Sequence, residues 1–301
     1  MAISVWPITE SFAAEIGDVD LSRPLDADTV AAIRNAFWTY SVLVFPDQKL
    51  SQDDHLTFAR HIGPLETSIA TYRDDTKMRL RPDLSDVSNL DAENNILPTE
   101  NRLRLFQLGN RLWHTDSSFK FVPAKASLLY ARSIPPCGGH TEFADMRAAW
   151  DALDDATKAG VEGLVAEHSI MHSRAKLGYD SFTAEERAKM PPVPQVMVRI
   201  IPETGRKNLY VASHAGRVVG METAAGRALI ERMVAHATQR QFVYTHRWRT
   251  NDLVMWDNRC TMHRGTAFDD QRWKRDVQRA TVSDVANTCV QAGLAVPDLA
   301  A

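Results

Sequence analysis

The sequence predicts a mainly β fold, a double-stranded β-helix (jelly roll), with helices packed outside it. Strand signals are short and bounded by Gly, Pro, Asn or Asp turns. Long helical patterns are few. Strand and helix do not alternate in the way that builds a parallel sheet. No repeat or shift in composition divides the 301 residues, so the chain reads as one domain of large size.

Composition narrows the function classes. Apolar residues make up 44% and charged residues 24%, the values of a soluble globular protein. A net charge of -3 gives no pull toward nucleic acid or an anionic membrane, so neither is expected as partner. Cys137, Cys260 and Cys289 are odd in number and far apart, which points to a reducing compartment rather than a disulfide framework. The first ten residues lack a basic segment followed by an apolar one, and the longest apolar runs are too short to span a bilayer. A cytoplasmic protein is expected.

The elements follow in order. Thr29 to Tyr40 carries Val30, Ile33 and Phe37 at helical spacing, with Asp28 as N-cap. Ser41 to Phe45 is a strand closed by Pro46-Asp47. Ser51 caps a second helix with acidic residues in its first turn, ending near Gly63-Pro64. The polar stretch 66–111 reads as a lid loop with one strand at Asp86 to Leu90. Strands are expected at Ala126 to Ile134 and Thr141 to Ala144, then helices at Met146 to Leu153 and Thr157 to Val165. These open a helical and loop insert over about 146–194, with a further helix at Thr183 to Met190. Gln195 to Ile201 and Asn208 to Ala212 form a hairpin across Glu203-Thr-Gly-Arg206. Ala224 to Thr238 is an amphipathic helix. Phe242 to Trp248, Leu253 to Trp256 and Arg279 to Val282 are the last strands.

Chemistry concentrates in Trp113-His-Thr-Asp-Ser-Ser-Phe119. On extended backbone His114 and Asp116 share one side and can meet one cation. A second histidine would complete the 2-His-1-carboxylate triad that leaves open positions on non-haem Fe(II). His263, after the strand Leu253 to Trp256 and the turn-prone Asp257-Asn258, is the candidate. Two histidines and an aspartate also suit catalytic zinc. Arg275 and Arg279 lie four apart and share a face if their segment is a strand. Arginine holds carboxylates through paired hydrogen bonds, so the two could hold two different carboxylates.

Several segments together resemble the taurine dioxygenase family of Fe(II)/α-ketoglutarate-dependent dioxygenases. Within it they are most similar to the branch that acts on 2,4-dichlorophenoxyacetate. They include Phe12-Ala-Ala-Glu, Gly63-Pro-Leu-Glu66, the Trp113 to Phe119 stretch, Asp145-Met-Arg-Ala-Ala149 and Asp252-Leu-Val-Met-Trp-Asp-Asn-Arg-Cys260, and they span nearly the whole chain. The resemblance implies His114, Asp116 and His263 as iron ligands, and Thr141 and Arg275 as the α-ketoglutarate anchor. It implies substrate contacts from Asn110, Arg279, Thr71 and His214, although a structural role for His214 is open. By spacing alone Lys274 could replace Arg275. The pattern departs at Thr71, where the herbicide branch has lysine, and near Ile200-Ile201, where it has histidine. The implied chemistry uses Fe(II), O2 and α-ketoglutarate, with ascorbate as supporting reductant. It hydroxylates an aryloxyacetate beside the ether oxygen and yields a phenol, glyoxylate, succinate and CO2. Ile69, Tyr72 and Phe119 are candidates for the apolar pocket such a substrate needs. A sulfonate, a sulfate ester or another natural carboxylic acid is the alternative small-molecule substrate. A non-catalytic jelly-roll binding protein is the alternative of another class. A homo-oligomer is expected by analogy.

Overall fold

In the computed structural model, which describes residues 3–68, 71 and 78–299, side-chain alternation sets the layers. The larger sheet runs β1 (Ser4–Pro7), β2 (Ala13–Gly17), β3 (Val42–Phe45), β13 (Leu253–Asp257), β5 (Ala124–Ser133), β15 (Asp276–Ser283) and β4 (Leu84–Asp86). Only β2 and β3 pair in parallel there. The facing sheet runs β12 (Val243–His246), β6 (Thr141–Asp145) and β14 (Thr261–Gly265). Val42, Val44, Leu129, Val254, Trp256 and Val277 point inward and pack with Phe143 and Tyr244 of this smaller sheet. Their sequence neighbours Leu43, Phe45, Leu128, Tyr130, Met255 and Ala280 point the other way. There they meet Ile33 and Phe37 of helix α1 (Ala27–Tyr40) and Leu56 and Phe58 of α2 (Gln52–Arg60). Period-two alternation therefore makes two cores from one sheet. The result is the mainly β jelly roll with flanking helices.

The remaining elements surround these sheets, and Met146, Ala149, Leu229, Ile230 and Met233 among them pack with Ala144 and Met262 of the smaller sheet. They are α3 (Arg102–Gln107), α4 (Met146–Asp151), α5 (Asp155–Val161), β7 (Val165–His168), α6 (Ile170–Ala175) and α7 (Ala184–Lys189). After them come β8 (Val193–Val196), β9 (Val198–Ile200), β10 (Lys207–Leu209), β11 (Ala215–Val218), α8 (Thr223–Ala237) and α9 (Thr288–Gln291). Strands β11, β7 and β8 form a third sheet, and β9 pairs with β10 in the expected hairpin, with Gly205 at φ +68° in its turn.

Several boundaries differ from expectation. Asp26, not Asp28, caps α1 by accepting from the Thr29 amide, and Asp28 sits in the first turn. Ser51 caps α2 as expected, in a reciprocal capping box with Asp54. The helix expected over Thr157 to Val165 stops at Val161, and after Gly163 at φ +80° the chain enters β7. Met197 interrupts Gln195 to Ile201, so it divides between two sheets as β8 and β9. The stretch 66–111 is not one long loop. It holds β4, α3 and a 3₁₀ turn at Leu108–Arg111.

Buried histidines tie this fold to pH. His55 of α2 lies under the larger sheet, between the Leu128 carbonyl (3.1 Å) and the Gln278 amide nitrogen (3.2 Å). Burial pushes its pKa down from 6.5 to about 4, and that of His168 down to about 3. The folded values lie below the unfolded ones, so the unfolded chain takes up more protons in this window. Stability is complete above the unfolded value and falls as pH drops through it, by on the order of 3 kcal/mol per histidine at the bottom. Urea unfolding from pH 7.5 to 4.5 is expected to show this slope, and His55→Gln to flatten it. An unchanged slope in the variant would remove His55 from the account.

Candidate active site

β14 and the segment before β5 meet through an isolated antiparallel bridge. The His114 amide donates to the His263 carbonyl (3.0 Å), and the His263 amide donates back (2.7 Å). The two rings lie 4.1 Å apart, with the Asp116 carboxylate 3.8 Å from His114 Nε2 and 3.7 Å from His263 Nε2. All three donor atoms fall within 4.8 Å of one another, and all three side chains are buried. In the sequence His263 follows a strand and the turn-prone Asp257-Asn258, and the structure places it inside β14.

The surroundings suit a divalent cation. His114 Nδ1 lies 2.7 Å from the Leu112 carbonyl, so Nδ1–H donates there and the Nε2 lone pair faces the site. Burial first, with smaller contributions from Arg279 and other cations, keeps His114 less basic than an ordinary histidine. Burial and the neighbouring His114 keep His263 well below it. For Asp116 burial acts upward, but Arg279, both histidines and a Ser127 hydrogen bond outweigh it and hold the carboxyl near about 2. The set is therefore two neutral imidazoles and one carboxylate, the protonation states that metal binding requires.

Asp116 is held by residues that the sequence reading missed. Ser127 Oγ donates to Asp116 Oδ2 (2.6 Å) and Asn258 Nδ2 donates to Ser127 Oγ (2.9 Å). Asn258 Oδ1 accepts from the Asp116 amide (3.1 Å) and from Trp256 Nε1 (2.9 Å). Ser127 carried a usable signal, a small hydroxyl among the apolar residues of a buried strand. Asn258 read only as a turn former. Asn258→Ala is expected to lower metal affinity about 10- to 100-fold with the ligands intact. Equilibrium Fe(II) titration checks this, and unchanged affinity would reduce the network to packing.

The triad opens into a cleft of about 1080 Å³ that includes its mouth. His114, Asp116, Asn110, His214 and Arg279 stand at one end, and Leu80, Leu84, Leu90, Leu103, Phe106 and Phe119 supply apolar wall. Arg279 Nη1 donates to Asp116 Oδ1. The His214 ring lies 6.1 Å from that of His114 and 5.1 Å from Phe119, with a buried Nδ1 that has no partner among the described residues. Thr71 does not line the cleft, and its hydroxyl folds back onto the Ser68 carbonyl (2.7 Å). Ile69 and Tyr72 lie outside the described residues.

A second cleft, of about 540 Å³ with its mouth included, shares Val87, Gln107 and Asn110 with the first and is lined by Arg275 and Thr266. Arg275 is buried, with Nε donating to the Gly139 carbonyl (3.2 Å) and Nη1 to that of Val87 (3.4 Å). Gly139 sits at φ +65°, and a Cβ there would stand 3.0 Å from Pro135 Cγ, so the turn beside Arg275 favours glycine. Lys274 is exposed and donates to the Asn94 carbonyl (2.6 Å). Arg275 precedes β15, and a register shift follows at Asp276/Val277. Strand parity therefore does not decide which face the two arginines share. Thr141 Oγ1 is buried on β6 and accepts from Trp248 Nε1 (3.0 Å).

The profile of the taurine catabolism dioxygenase TauD, TfdA family matches residues 4–281. The chain is 42% identical over 286 residues to the alpha-ketoglutarate-dependent 2,4-dichlorophenoxyacetate dioxygenase of Cupriavidus pinatubonensis, covering 95% of this chain and 99% of the relative. It is 36% identical to the (S)-phenoxypropionate/alpha-ketoglutarate-dioxygenase of Sphingobium herbicidovorans, covering 89% and 91%. The crystal structure of AAD-2 with Mn(II) and N-oxalylglycine superposes with a TM-score of 0.91 at 45% identity, over 96% of this chain and all of that one. With a buried His-Asp-His set in a jelly roll, these matches make the assignment direct: the chain belongs to the TauD/TfdA family of Fe(II)- and α-ketoglutarate-dependent dioxygenases.

Proposed function

We propose that the chain hydroxylates an aryloxyacetate at the carbon between the ether oxygen and the carboxylate. The observation that carries this is the lining of the cleft: Arg279 stands beside the triad, and Leu80, Leu84, Leu90, Leu103, Phe106 and Phe119 are among the residues that line the rest. An aryloxyacetate has the same polarity, with acid and reacting carbon together and the ring apart. Relatives that act on 2,4-dichlorophenoxyacetate and phenoxypropionate add to this reading.

His114 Nε2, His263 Nε2 and the Asp116 carboxylate would hold the Fe(II). That ion, with α-ketoglutarate and O2, supplies oxidative decarboxylation of the keto acid coupled to hydroxylation of a C–H bond. Arg275 fixes the far carboxylate of α-ketoglutarate, and Thr141, on β6 two positions after the Gly139 that Arg275 contacts, is its expected partner there. Arg279 orients Asp116 and receives the substrate carboxylate. Phe119 and the leucine wall enclose the ring and exclude water, and Asn110 stands between the two cavities, where it can touch both ligands. One oxygen atom ends in succinate and the other in the substrate's new hydroxyl. The resulting hemiacetal breaks its aryl C–O–C link at the hydroxylated carbon. The proton passes to the aryl oxygen, and phenol and glyoxylate leave.

The segment 66–111 is read as the lid of a single dioxygenase domain, because β4 and α3 supply much of the cleft wall. Three free cysteines suit a reducing cytoplasm, and no helix among the described residues is long and apolar enough to cross a membrane. The test is a panel of aryloxyacetates, aryloxypropionates, sulfonates and alkyl sulfates scored by succinate release. Turnover confined to sulfonates or sulfates would reject the aryloxyacetate reading and leave the iron and keto-acid chemistry standing.

A further inference from the structure

Strand β4 ends at Asp86, yet the chain beyond it continues alongside the residues at the start of β15. The Val87 amide donates to the Val277 carbonyl (3.1 Å), and the Asn89 amide to the Arg275 carbonyl (3.3 Å). The Asn89 side chain then reaches back to the same segment. Its Oδ1 accepts from the Arg275 amide (2.8 Å). Its Nδ2 donates to the carbonyls of Asp270 (2.8 Å) and Trp273 (2.9 Å). The acceptor and both donor hydrogens of this amide are therefore engaged, and the residue is only 8% exposed. Arg275 needs such support. It is the last residue of the loop between β14 and β15, and a register shift follows at Asp276/Val277. Asn89 supplies the two backbone partners that a neighbouring strand would give. The guanidinium meets the same segment, because Arg275 Nη1 donates to the Val87 carbonyl (3.4 Å). Val87, Ser88 and Asn89 line the cleft of Arg275, and Leu84 to Val87 line the one beside the triad.

We propose that Asn89 is a positioning residue for Arg275, and that it thereby sets the preference for a keto acid with a distal carboxylate. Paired hydrogen bonds between a guanidinium and a carboxylate demand a narrow distance and a common plane. A loop has many conformers, and the bonds from Asn89 to positions 270, 273 and 275 select one of them. These bonds are buried, so water cannot replace them when the amide is removed. Asn89 acts through Arg275 and not on the keto acid, since its own amide has no donor left to offer. The inference rests on the reading of Arg275 as anchor of the far carboxylate, not on the identity of the prime substrate.

The test compares the unaltered chain with Asn89→Ala, Asn89→Ser and Arg275→Met. Binding of α-ketoglutarate and of 2-oxobutyrate, which has no distal carboxylate, is read anaerobically from the visible absorption each gives with Fe(II). Asn89→Ala is expected to weaken α-ketoglutarate about 10- to 100-fold and to leave 2-oxobutyrate unchanged, so the preference for the dicarboxylate collapses. Asn89→Ser keeps a hydroxyl that can replace one of the lost bonds, and it should fall between alanine and the unaltered chain. Unchanged binding of 2-oxobutyrate also shows that the iron site still folds. A merely structural Asn89 would weaken both keto acids alike, or neither, and either result overturns the proposal. Arg275→Met separates this inference from the reading beneath it. If that variant keeps the preference, Arg275 is not the anchor and both fall. If it loses the preference while the Asn89 variants keep it, only the role of Asn89 falls.

Discussion

Replacing His114 by alanine is expected to abolish the weak visible charge-transfer absorption that Fe(II) and α-ketoglutarate give together without oxygen, and with it succinate release. The expectation follows from donor count. Three donors within 4.8 Å are enough to hold a cation and leave open positions, and two are not. Nothing nearby can substitute for the ring. Asp116 already uses Oδ1 toward Arg279 and Oδ2 toward Ser127, and His214 is a full ring-to-ring distance of 6.1 Å away from His114. The loss in metal affinity should exceed the roughly 10- to 100-fold seen when supporting residues alone are removed. The fold should survive, because the His114–His263 bridge is made by backbone atoms and the Arg279–Asp116 ion pair remains. A thermal midpoint close to that of the unaltered chain, with the absorption gone, is the expected pair of results. An absorption of normal strength in the variant would remove His114 as a ligand.

What the sequence disclosed and what it concealed divide along physical lines. The apolar runs of Ser41 to Phe45 and Leu253 to Trp256 are local signals, so both strands were legible. His114 and Asp116 were legible for the same reason. The strand that carries His263 was hidden, because Thr-Met-His-Arg-Gly holds a single strongly apolar residue and its strand character comes from pairing with β6. Asn258 follows a turn signal, and its role depends on Ser127 and Asp116, more than a hundred positions away in the chain. The metal ligands could be named from spacing and resemblance, whereas the residues that hold them in place required tertiary structure.

Arg275→Met is expected to raise the dissociation constant of α-ketoglutarate about 100-fold or more while leaving the unliganded protein at least as stable. The two halves of this result have one cause. The guanidinium is buried, burial draws its pKa down to about 10, and at neutral pH it remains a charge out of water. Its hydrogen bonds go to the backbone carbonyls of Gly139 and Val87, which do not neutralise it. Removing such a charge in favour of an apolar side chain of similar length relieves a desolvation cost. Once a dicarboxylate binds, the same burial works in reverse, because a carboxylate placed against it forms a charge-assisted pair in low dielectric, worth about 2–5 kcal/mol when one partner is truncated. Differential scanning with and without α-ketoglutarate reads both halves at once. Ligand at 100 times its dissociation constant should stabilise the unaltered chain by about 2.7 kcal/mol, and the variant at the same concentration by a fraction of that. A monocarboxylic keto acid provides the control. It has no distal carboxylate, so its weak binding should be the same in both proteins, and the preference for α-ketoglutarate over it should vanish in the variant. A variant that lost stability yet kept that preference would make Arg275 a structural residue and leave the distal carboxylate to another cation.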